Sequence, residues 1–420
     1  MEASFALSHV AQGGSERRRL EGEEIMKNPE CWKNLRDRYE KDRPHRLLAL
    51  DGGGIRGLLT LGILEKIETL VTGKSGGKLC DYFDYIAGTS TGAIIAAGLA
   101  RGMTIAELID FYRSAGKQMF EHASLIERIK YFYTADPLKA KLQDVFGHST
   151  NLEPNSLKCL LLIVTKNVTT DSPWPISSNP EAKYNEPGRN DCNLNIPLWQ
   201  LVRASTAAPV FFPPEILQWG PNDPSKTFVF VDGGVTPYNN PAFLLYRMAT
   251  EPAYRLNWKT GEKNLLLVSV GTGAAESLGA TAAAPNRNLV STVTGLPGEL
   301  MYGIQVDQDI NCRTVGRCTH GAHLDREILD LVPRQTIFGG TIEQQYAAPK
   351  IPLSTDLGRS FLYARYNADL SRQGLNSLGF TQVDPTSIQK MDAVENIEPL
   401  LEIGRAAGVN VLPAHFGPFL

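Results

Sequence analysis

Short apolar segments alternate with segments of helical periodicity along most of this 420-residue chain, from about residue 46 onward. The apolar segments have the length of buried strands, whereas the segments between them repeat apolar positions at the spacing of an amphipathic helix. Strands that alternate with helices predict a mainly parallel sheet covered on both faces, which is a three-layer α/β/α fold. We predict strands at residues 47–50, 85–87, 160–165, 228–231 and 265–270, and helices at residues 57–71, 91–101, 104–120 and 393–407.

Three segments depart from this alternation. Residues 1–43 are rich in charged side chains, which indicates a mobile arm followed by a solvent-exposed helix. Residues 171–197 are rich in Pro and Asn, and residues 274–300 are rich in Ala, Gly and Thr. Both compositions are typical of surface loops. No internal repeat and no convincing linker divides the chain.

Charge and hydropathy narrow the class of protein. A net charge of −3 and a pI near 6.2 lack the basic balance of nucleic-acid-binding proteins, so we expect no nucleic-acid partner. No window of uninterrupted apolar residues is long enough to span a bilayer, so any membrane contact would be peripheral. Six dispersed cysteines predict reduced thiols, and no export-signal pattern is evident, so we expect a cytoplasmic location.

Residues 51–57 have the sequence Asp-Gly-Gly-Gly-Ile-Arg-Gly and lie between a predicted strand and a predicted helix. Amides at a helix start point at negative charge, and glycines let them approach it closely, which favours an oxyanion hole. Gly52, Gly54 and Gly57 also match GxGxxG, but the ribose-binding acid expected about 20 residues later is absent. Nucleotide binding and a purely structural turn therefore remain as alternatives.

Residues 88–92, Gly-Thr-Ser-Thr-Gly, offer a nucleophile near that loop. Gly88 and Gly92 permit the sharp strand-to-helix turn that lifts the Ser90 hydroxyl above a sheet. The motif also arises by chance in a glycine-rich chain, so a simple turn is the alternative. The predicted strand before Ser90 and the apolar helix after it favour the nucleophile.

A serine nucleophile needs a base, and none of the seven histidines has a persuasive setting. Asp232 follows an apolar strand and precedes two glycines, so it would lie at the end of a strand, where open α/β sheets bind ligands. A strand-end aspartate is also a common turn former. To act as a base near neutral pH, Asp232 would need a pKa raised by burial.

These three motifs, in this order, resemble the patatin-like phospholipase family, which combines a DGGGxRG loop, a GxSxG nucleophile and a DG[AG] aspartate. Residues 204–209 resemble the Ala- and Ser-rich block that precedes the aspartate in that family. The resemblance implies Ser90 as nucleophile and Asp232 as base. It also implies the amides of Gly53 and Gly54 as oxyanion donors, with Arg56 supporting the loop.

Members of that family cleave acyl esters of phospholipids and other glycerolipids without calcium, so the resemblance implies such a substrate and no metal or cofactor. A lipase that a ligand or oligomerisation activates is the alternative function. The resemblance suggests a catalytic domain over residues 44–345, preceded by the arm at residues 1–43. Residues 346–420 would form a C-terminal extension packed on the same domain. The sequence leaves the oligomeric state and the preferred lipid open.

Two further segments contain residue types with possible functional roles. The sequence at 210–214, Val-Phe-Phe-Pro-Pro, suits either the wall of an acyl-chain tunnel or a buried strand ended by prolines, and core packing is the favoured interpretation. Cys312, Cys318, His320 and His323 are zinc-ligand residue types, but they lack paired short spacings. We therefore expect a structural role for them.

Overall fold

The computed structural model describes residues 29–39, 42–74, 76–119, 135–186, 188–219, 223–274, 289–321 and 358–420. Its strands are β1 (His45–Leu50), β2 (Tyr85–Thr89), β3 (Leu160–Asn167), β4 (Ser172–Ser177), β5 (Glu215–Gln218), β6 (Thr227–Asp232), β7 (Leu265–Val270), β8 (Arg317–His320) and β9 (Leu362–Tyr366).

The helices of the first half are α1 (Arg36–Tyr39), α2 (Gly57–Thr72), α3 (Leu79–Tyr82), α4 (Thr91–Ala100), α5 (Ile105–Met119), α6 (Asp136–Phe146) and α7 (Leu198–Ser205). Those of the second half are α8 (Ala242–Thr250), α9 (Leu289–Val315), α10 (Arg372–Ser377), α11 (Pro385–Ile388) and α12 (Ile397–Gly408). Among the described residues, no helix combines the length and apolarity needed to cross a membrane.

The described strands form one sheet in the order β5-β6-β3-β2-β1-β7-β9-β8, with β4 also paired to β3. The pairs from β3 through β2, β1, β7 and β9 to β8 are parallel. Strands β4 and β6 run antiparallel to β3, and β5 runs antiparallel to β6. The mainly parallel sheet predicted from the sequence is confirmed.

Alternate side chains of β1 enter two separate cores, as the two-residue period of a strand requires. Leu48 and Leu50 pack with helices α2, α4 and α12 on one face. Leu47 and Ala49 pack on the other face with α8 and with the N-terminal segment of residues 29–39. Helices therefore cover both faces of the sheet, which confirms the three-layer α/β/α arrangement.

The carboxyl ends of strands β2 and β6 meet beside β3. Thr89, the last residue of β2, pairs with Val164, and Asp232, the last residue of β6, pairs with Thr165. Because β4 occupies the other side of β3, β2 and β6 lie on the same side. Asp232 thus reaches the carboxyl end of β2 on a strand that runs opposite to it.

Three sequence predictions about individual segments are wrong within the described residues. Residues 29–39 are not a solvent-exposed helix, because Trp32, Leu35 and Tyr39 are buried against the sheet. The predicted loop at residues 171–197 contains β4, an edge strand that tolerates its prolines. The predicted loop at residues 274–300 is helical from residue 289, where α9 begins. The later part of α9 packs on the rest of the protein, and these tertiary contacts stabilise the helix despite the loop-like composition of its first part. Residues 1–28 lie outside the described residues.

The C-terminal residues 358–420 are integral to the sheet and its helical cover. Strand β9 lies between β7 and β8 rather than at the periphery. Helix α12 packs closely on α2, where a Cβ on Gly404 would lie 2.2 Å from the carbonyl O of Leu59 and a Cβ on Gly62 would lie 2.5 Å from that of Leu401. This close packing places the C-terminal segment beside residues 51–57, the glycine loop, which leads into α2.

Candidate active site

The Ser90 turn has the geometry that its sequence predicts. Ser90 lies between the end of β2 and the start of α4 with φ of 55° and ψ of −124°, a strained conformation for a residue with a side chain. A Cβ on Gly88 would lie 2.0 Å from the carbonyl O of Gly92, and one on Gly92 would lie 2.3 Å from that of Leu50. Both positions therefore require glycine, and the turn presents Ser90 at the end of the sheet.

Most backbone amides of the glycine loop, residues 51–57, have acceptors within the protein, which makes the exceptions informative. Those with acceptors are Asp51 to Val270 O at 3.1 Å, Gly52 to Asn239 O at 3.1 Å, Ile55 to Met391 O at 2.8 Å, Arg56 to Gly53 O at 3.3 Å, and Gly57 to Gly54 O and Ile55 O. Among the described residues, the amides of Gly53 and Gly54 have no acceptor. Both residues line the same cleft as Ser90.

Arg56 and Gly57 connect the glycine loop to neighbouring parts of the site. The Arg56 guanidinium donates to the carbonyl O of Gly53 at 3.4 Å and to that of Gly273 at 3.3 Å. A Cβ on Gly57 would lie 2.4 Å from the Thr91 hydroxyl oxygen, so the start of α2 lies against the start of α4. The glycine loop and the Ser90 turn are therefore in direct contact.

Asp232 is buried beside Ser90, with only 4% of its surface exposed. Its carboxylate accepts a hydrogen bond at 2.7 Å from the backbone amide of Gly234, and the Ser90 side chain lies close enough to interact with it. Burial raises the pKa of Asp232 to about 6, although the interactions with Ser90 and Gly234 and the charge of Arg203 oppose the rise. The carboxylate is therefore ionised at neutral pH and poised to accept a proton.

Ser205 holds the nucleophile turn in place, a role that the sequence did not reveal. Its buried hydroxyl accepts a hydrogen bond from the Ser90 backbone amide at 2.9 Å and donates one to the carbonyl O of Val164 at 2.7 Å. Ser205 belongs to the Ala- and Ser-rich block noted in the sequence, but a serine there has many ordinary uses. Only the packing of α7 on β3, which places Ser205 beside the Ser90 turn, distinguishes it from other serines.

The cleft is mostly apolar. Two of its walls are the segment that follows α7 and the segment around Met391. Besides Ser90 and Asp232, it is lined by Gly53, Gly54, Thr91, Ile94, Tyr112, Leu138, Thr206, Ala208, Pro209, Val210, Phe211, Phe212, Gly234, Val235, Met391 and Asp392. The favoured core interpretation of residues 210–214 is confirmed for Phe212, which is buried in the core, and Phe211 packs against the same core. The expected strand is wrong, because the segment is a loop whose residues 210–212 also line the cleft, with Val210 51% exposed at a φ of 74°. Proline at two successive positions keeps the segment out of a strand.

The described histidines lie away from the cleft. His45 stacks on Trp258 at 3.8 Å between ring centroids, and His320 stacks on His415 at 4.4 Å. Neither these residues nor His148 lines the cleft. Cys318 and His320 lie on β8 and Cys312 on α9, whereas His323 lies outside the described residues. The described part of the chain contains no group of three or more His, Cys, Asp or Glu side chains that could hold a metal ion.

Comparison with known proteins finds a matching family model and several similar proteins. Residues 48–246 match the family model described as patatin-like phospholipase. The chain is 32% identical over 233 residues to the cGAMP-activated phospholipase of Vibrio cholerae serotype O1, covering 52% of this chain and 60% of that protein. It is 29% identical over 253 residues to Patatin-T5 of Solanum tuberosum, covering 56% of this chain and 62% of that protein.

The chain therefore spans less than two thirds of the length of these relatives. Human GIVD cytosolic phospholipase A2, a solved structure, aligns with a TM-score of 0.40 and 13% sequence identity, covering 90% of this chain and 63% of that chain.

Proposed function

We propose that this chain, which carries a patatin-like phospholipase domain over residues 48–246, hydrolyses carboxylic esters of phospholipids or other glycerolipids through an acyl intermediate on Ser90. The observation that carries the proposal is the position of the buried Asp232 carboxylate beside Ser90, close enough for the serine side chain to lower its pKa. Next to this pair lie two loop amides that have no acceptor among the described residues. A nucleophile, a base and an oxyanion site are the parts that acyl transfer requires.

In the first half of the proposed reaction, the Ser90 hydroxyl oxygen attacks the ester carbonyl carbon while its proton passes to Asp232. The carbonyl oxygen becomes negative and accepts hydrogen bonds from the amides of Gly53 and Gly54. In other enzymes, removal of one such donor raises the activation barrier by about 2.7–4 kcal/mol. Collapse of the intermediate breaks the ester bond, and the leaving alkoxide takes the proton from Asp232.

In the second half, a water molecule attacks the acyl-Ser90 ester and gives its proton to Asp232. The same two amides stabilise the second oxyanion. When this intermediate collapses, the Ser90 oxygen leaves with the proton from Asp232 and the fatty acid is released. Asp232 accepts and returns the proton in both halves of the cycle, so the proposed reaction requires no histidine.

Purified protein incubated with phosphatidylcholine vesicles and with p-nitrophenyl esters, in the presence of EDTA, tests this proposal. Wild-type protein should release fatty acid, whereas Ser90→Ala and Asp232→Asn should lose at least about three orders of magnitude in kcat, as removal of a catalytic residue typically does. Asp223→Asn is a matched control, because Asp223 caps an exposed turn just before β6. Full activity in Ser90→Ala would refute the nucleophile assignment.

A ligand-activated lipase is the second candidate, supported by similarity to a protein named cGAMP-activated phospholipase. In this case purified protein would hydrolyse phosphatidylcholine slowly until cGAMP is added. Hydrolysis measured with cGAMP, with ATP and without nucleotide separates this candidate from a constitutive enzyme. If wild-type protein and Ser90→Ala both bind nucleotide, but the nucleotide never accelerates hydrolysis by wild-type protein, the alternative of a nucleotide-binding protein is favoured instead.

Peripheral contact with a lipid surface forms part of the proposal. The cleft that contains Ser90 is bordered by Val210 and Val235, which are 51% and 43% exposed. Exposed apolar side chains at the entrance of an apolar cleft suit contact with the acyl-chain region of a bilayer. In the proposed complex, a substrate acyl chain enters the cleft past these two valines.

A further inference from the structure

The turn formed by residues 389–393, the 389–393 turn, contacts the glycine loop from outside the segment that matches the family model. The backbone amide of Ile55 donates to the carbonyl O of Met391 at 2.8 Å. A Cβ on Gly54 would lie 2.2 Å from the same oxygen. The Met391 carbonyl therefore contacts both the last residue of the Gly52–Gly54 run and the residue after it.

This contact constrains the conformation on which the free amides depend. Gly54 has a φ of 60°, in the left-handed region, and the peptide group that follows it carries the Ile55 amide. With the Ile55 amide bound to Met391, rotation of the peptide group between Gly54 and Ile55 would break that hydrogen bond. Oxyanion donors are effective when they are oriented before the reaction begins.

The 389–393 turn is also a wall of the cleft. Met391 and Asp392 line the cleft together with Ser90 and Gly54. One short segment therefore both supports the loop and borders the space in which an ester would react.

The anchors of the 389–393 turn lie in the C-terminal part of the chain. The Gln389 side-chain amide donates to the carbonyl O of Leu370 at 3.3 Å. The Asn396 side-chain amide donates to the carbonyl O of Ser387 at 2.9 Å and to its hydroxyl at 3.2 Å, which links the two ends of the turn. Neither Gln389 nor Asn396 lines the cleft, so each can be changed without altering its wall.

We propose that Met391 is a positioning residue, whose main-chain carbonyl holds the glycine loop in the conformation that presents the Gly53 and Gly54 amides to the cleft. The proposal rests on the proposed ester hydrolysis and extends the functional unit beyond residues 48–246. Because a side-chain substitution at Met391 would leave the carbonyl in place, the test acts on the anchors of the turn.

The test compares Asn396→Ala and Gln389→Ala with wild-type protein by steady-state kinetics on a short p-nitrophenyl ester and by amide hydrogen exchange. Loosening the turn should lower kcat about ten-fold and leave KM within about two-fold, because the loop acts mainly in the transition state. A peptide that spans residues 51–57 should exchange faster as the Ile55 amide loses its acceptor. Two variants are used so that misfolding of one does not decide the outcome.

Asn264→Ala is the matched control. The Asn264 side-chain amide also donates to a backbone carbonyl, that of Thr260, at 2.8 Å. Asn264 precedes β7, at the opposite end of the sheet from the glycine loop. This variant should leave kcat and exchange of residues 51–57 at their wild-type values.

Unchanged kcat and unchanged exchange in both turn variants would overturn the positioning role, as would equal losses in Asn264→Ala. If wild-type protein hydrolyses no ester, the proposed function fails, and hydrogen exchange alone then decides whether the 389–393 turn holds the loop.

Discussion

The Arg365 guanidinium binds the Asp51 carboxylate through two hydrogen bonds, 2.9 Å from Nη1 to Oδ1 and 2.5 Å from Nη2 to Oδ2. Both side chains are buried, with 5% and 0% of their surfaces exposed. Arg365 also donates to the Ser269 hydroxyl at 2.7 Å. Since Asp51 is the first residue of the glycine loop, this pair ties β9 to the loop across β7.

Removal of Arg365 should destabilise the protein strongly. Arg365→Met leaves the Asp51 carboxylate buried without its cation, a change that typically costs about 3–5 kcal/mol in the free energy of unfolding. Urea denaturation measures the loss. The double variant Asp51→Asn/Arg365→Met should recover part of it, because no isolated charge remains; a loss below about 1 kcal/mol in the single variant would contradict a stabilising pair.

The rate of hydrolysis should fall in acid with the titration of Asp232. Burial raises the pKa of this carboxyl from 3.8 to about 6, and only the ionised form can accept the proton of Ser90. We expect kcat/KM on a soluble ester to be constant above about pH 7 and to fall ten-fold per pH unit below about pH 6. A limb near pH 4 instead would show that the carboxyl is not desolvated in solution.

The same burial predicts that Asp232 destabilises the fold at neutral pH. With a folded pKa of about 6 and an ordinary value of 3.8, the folded state binds more protons between these values. The contribution of Asp232 to stability is therefore present below pH 3.8 and is lost as the pH rises through 6. Asp232→Asn should raise the free energy of unfolding at pH 8 by about 1–3 kcal/mol, and the gain should shrink towards pH 4.

Loss of the Ser205 hydroxyl should reduce catalysis more than substrate binding. Ser205→Ala removes the acceptor of the Ser90 backbone amide, so the strained turn at Ser90 loses one of its constraints. We expect kcat to fall about ten-fold, equivalent to about 1.4 kcal/mol, with little change in KM. Ser178→Ala is the control, because the buried Ser178 hydroxyl accepts the Leu161 amide at 2.8 Å without contacting the Ser90 turn. Equal effects of both variants on kcat would argue against a specific role.

A charge at the entrance of the cleft should impair hydrolysis of lipid vesicles much more than hydrolysis of a soluble ester. Val235→Asp places a carboxylate where the proposed contact with acyl chains occurs, and burying a charge in that region is unfavourable. We expect hydrolysis of phosphatidylcholine vesicles to fall at least about five-fold, with hydrolysis of a water-soluble ester reduced much less. Val409→Asp, which changes a valine that is 71% exposed and does not line the cleft, is the matched control.

The sequence by itself determined the local geometry of the site. The alternation of strands and helices predicted the sheet, and the spacing of Gly88 and Gly92 around Ser90 predicted the turn between β2 and α4. These features follow from residues close together in the chain: glycine is needed where a Cβ would collide with backbone, as at both elbow positions. The strand before Asp232 was predictable for the same reason.

Tertiary structure alone decided which of these local features meet. Asp232 reaches Ser90 because β6 runs antiparallel to β3, so that its carboxyl end meets the carboxyl end of β2. No local sequence pattern encodes this strand direction. Arg365 and Met391 contact the glycine loop from more than 300 residues further along the chain. Such contacts depend on how strands pair and helices pack, because a guanidinium or a backbone carbonyl carries no sequence signal of the distant group that it will bind.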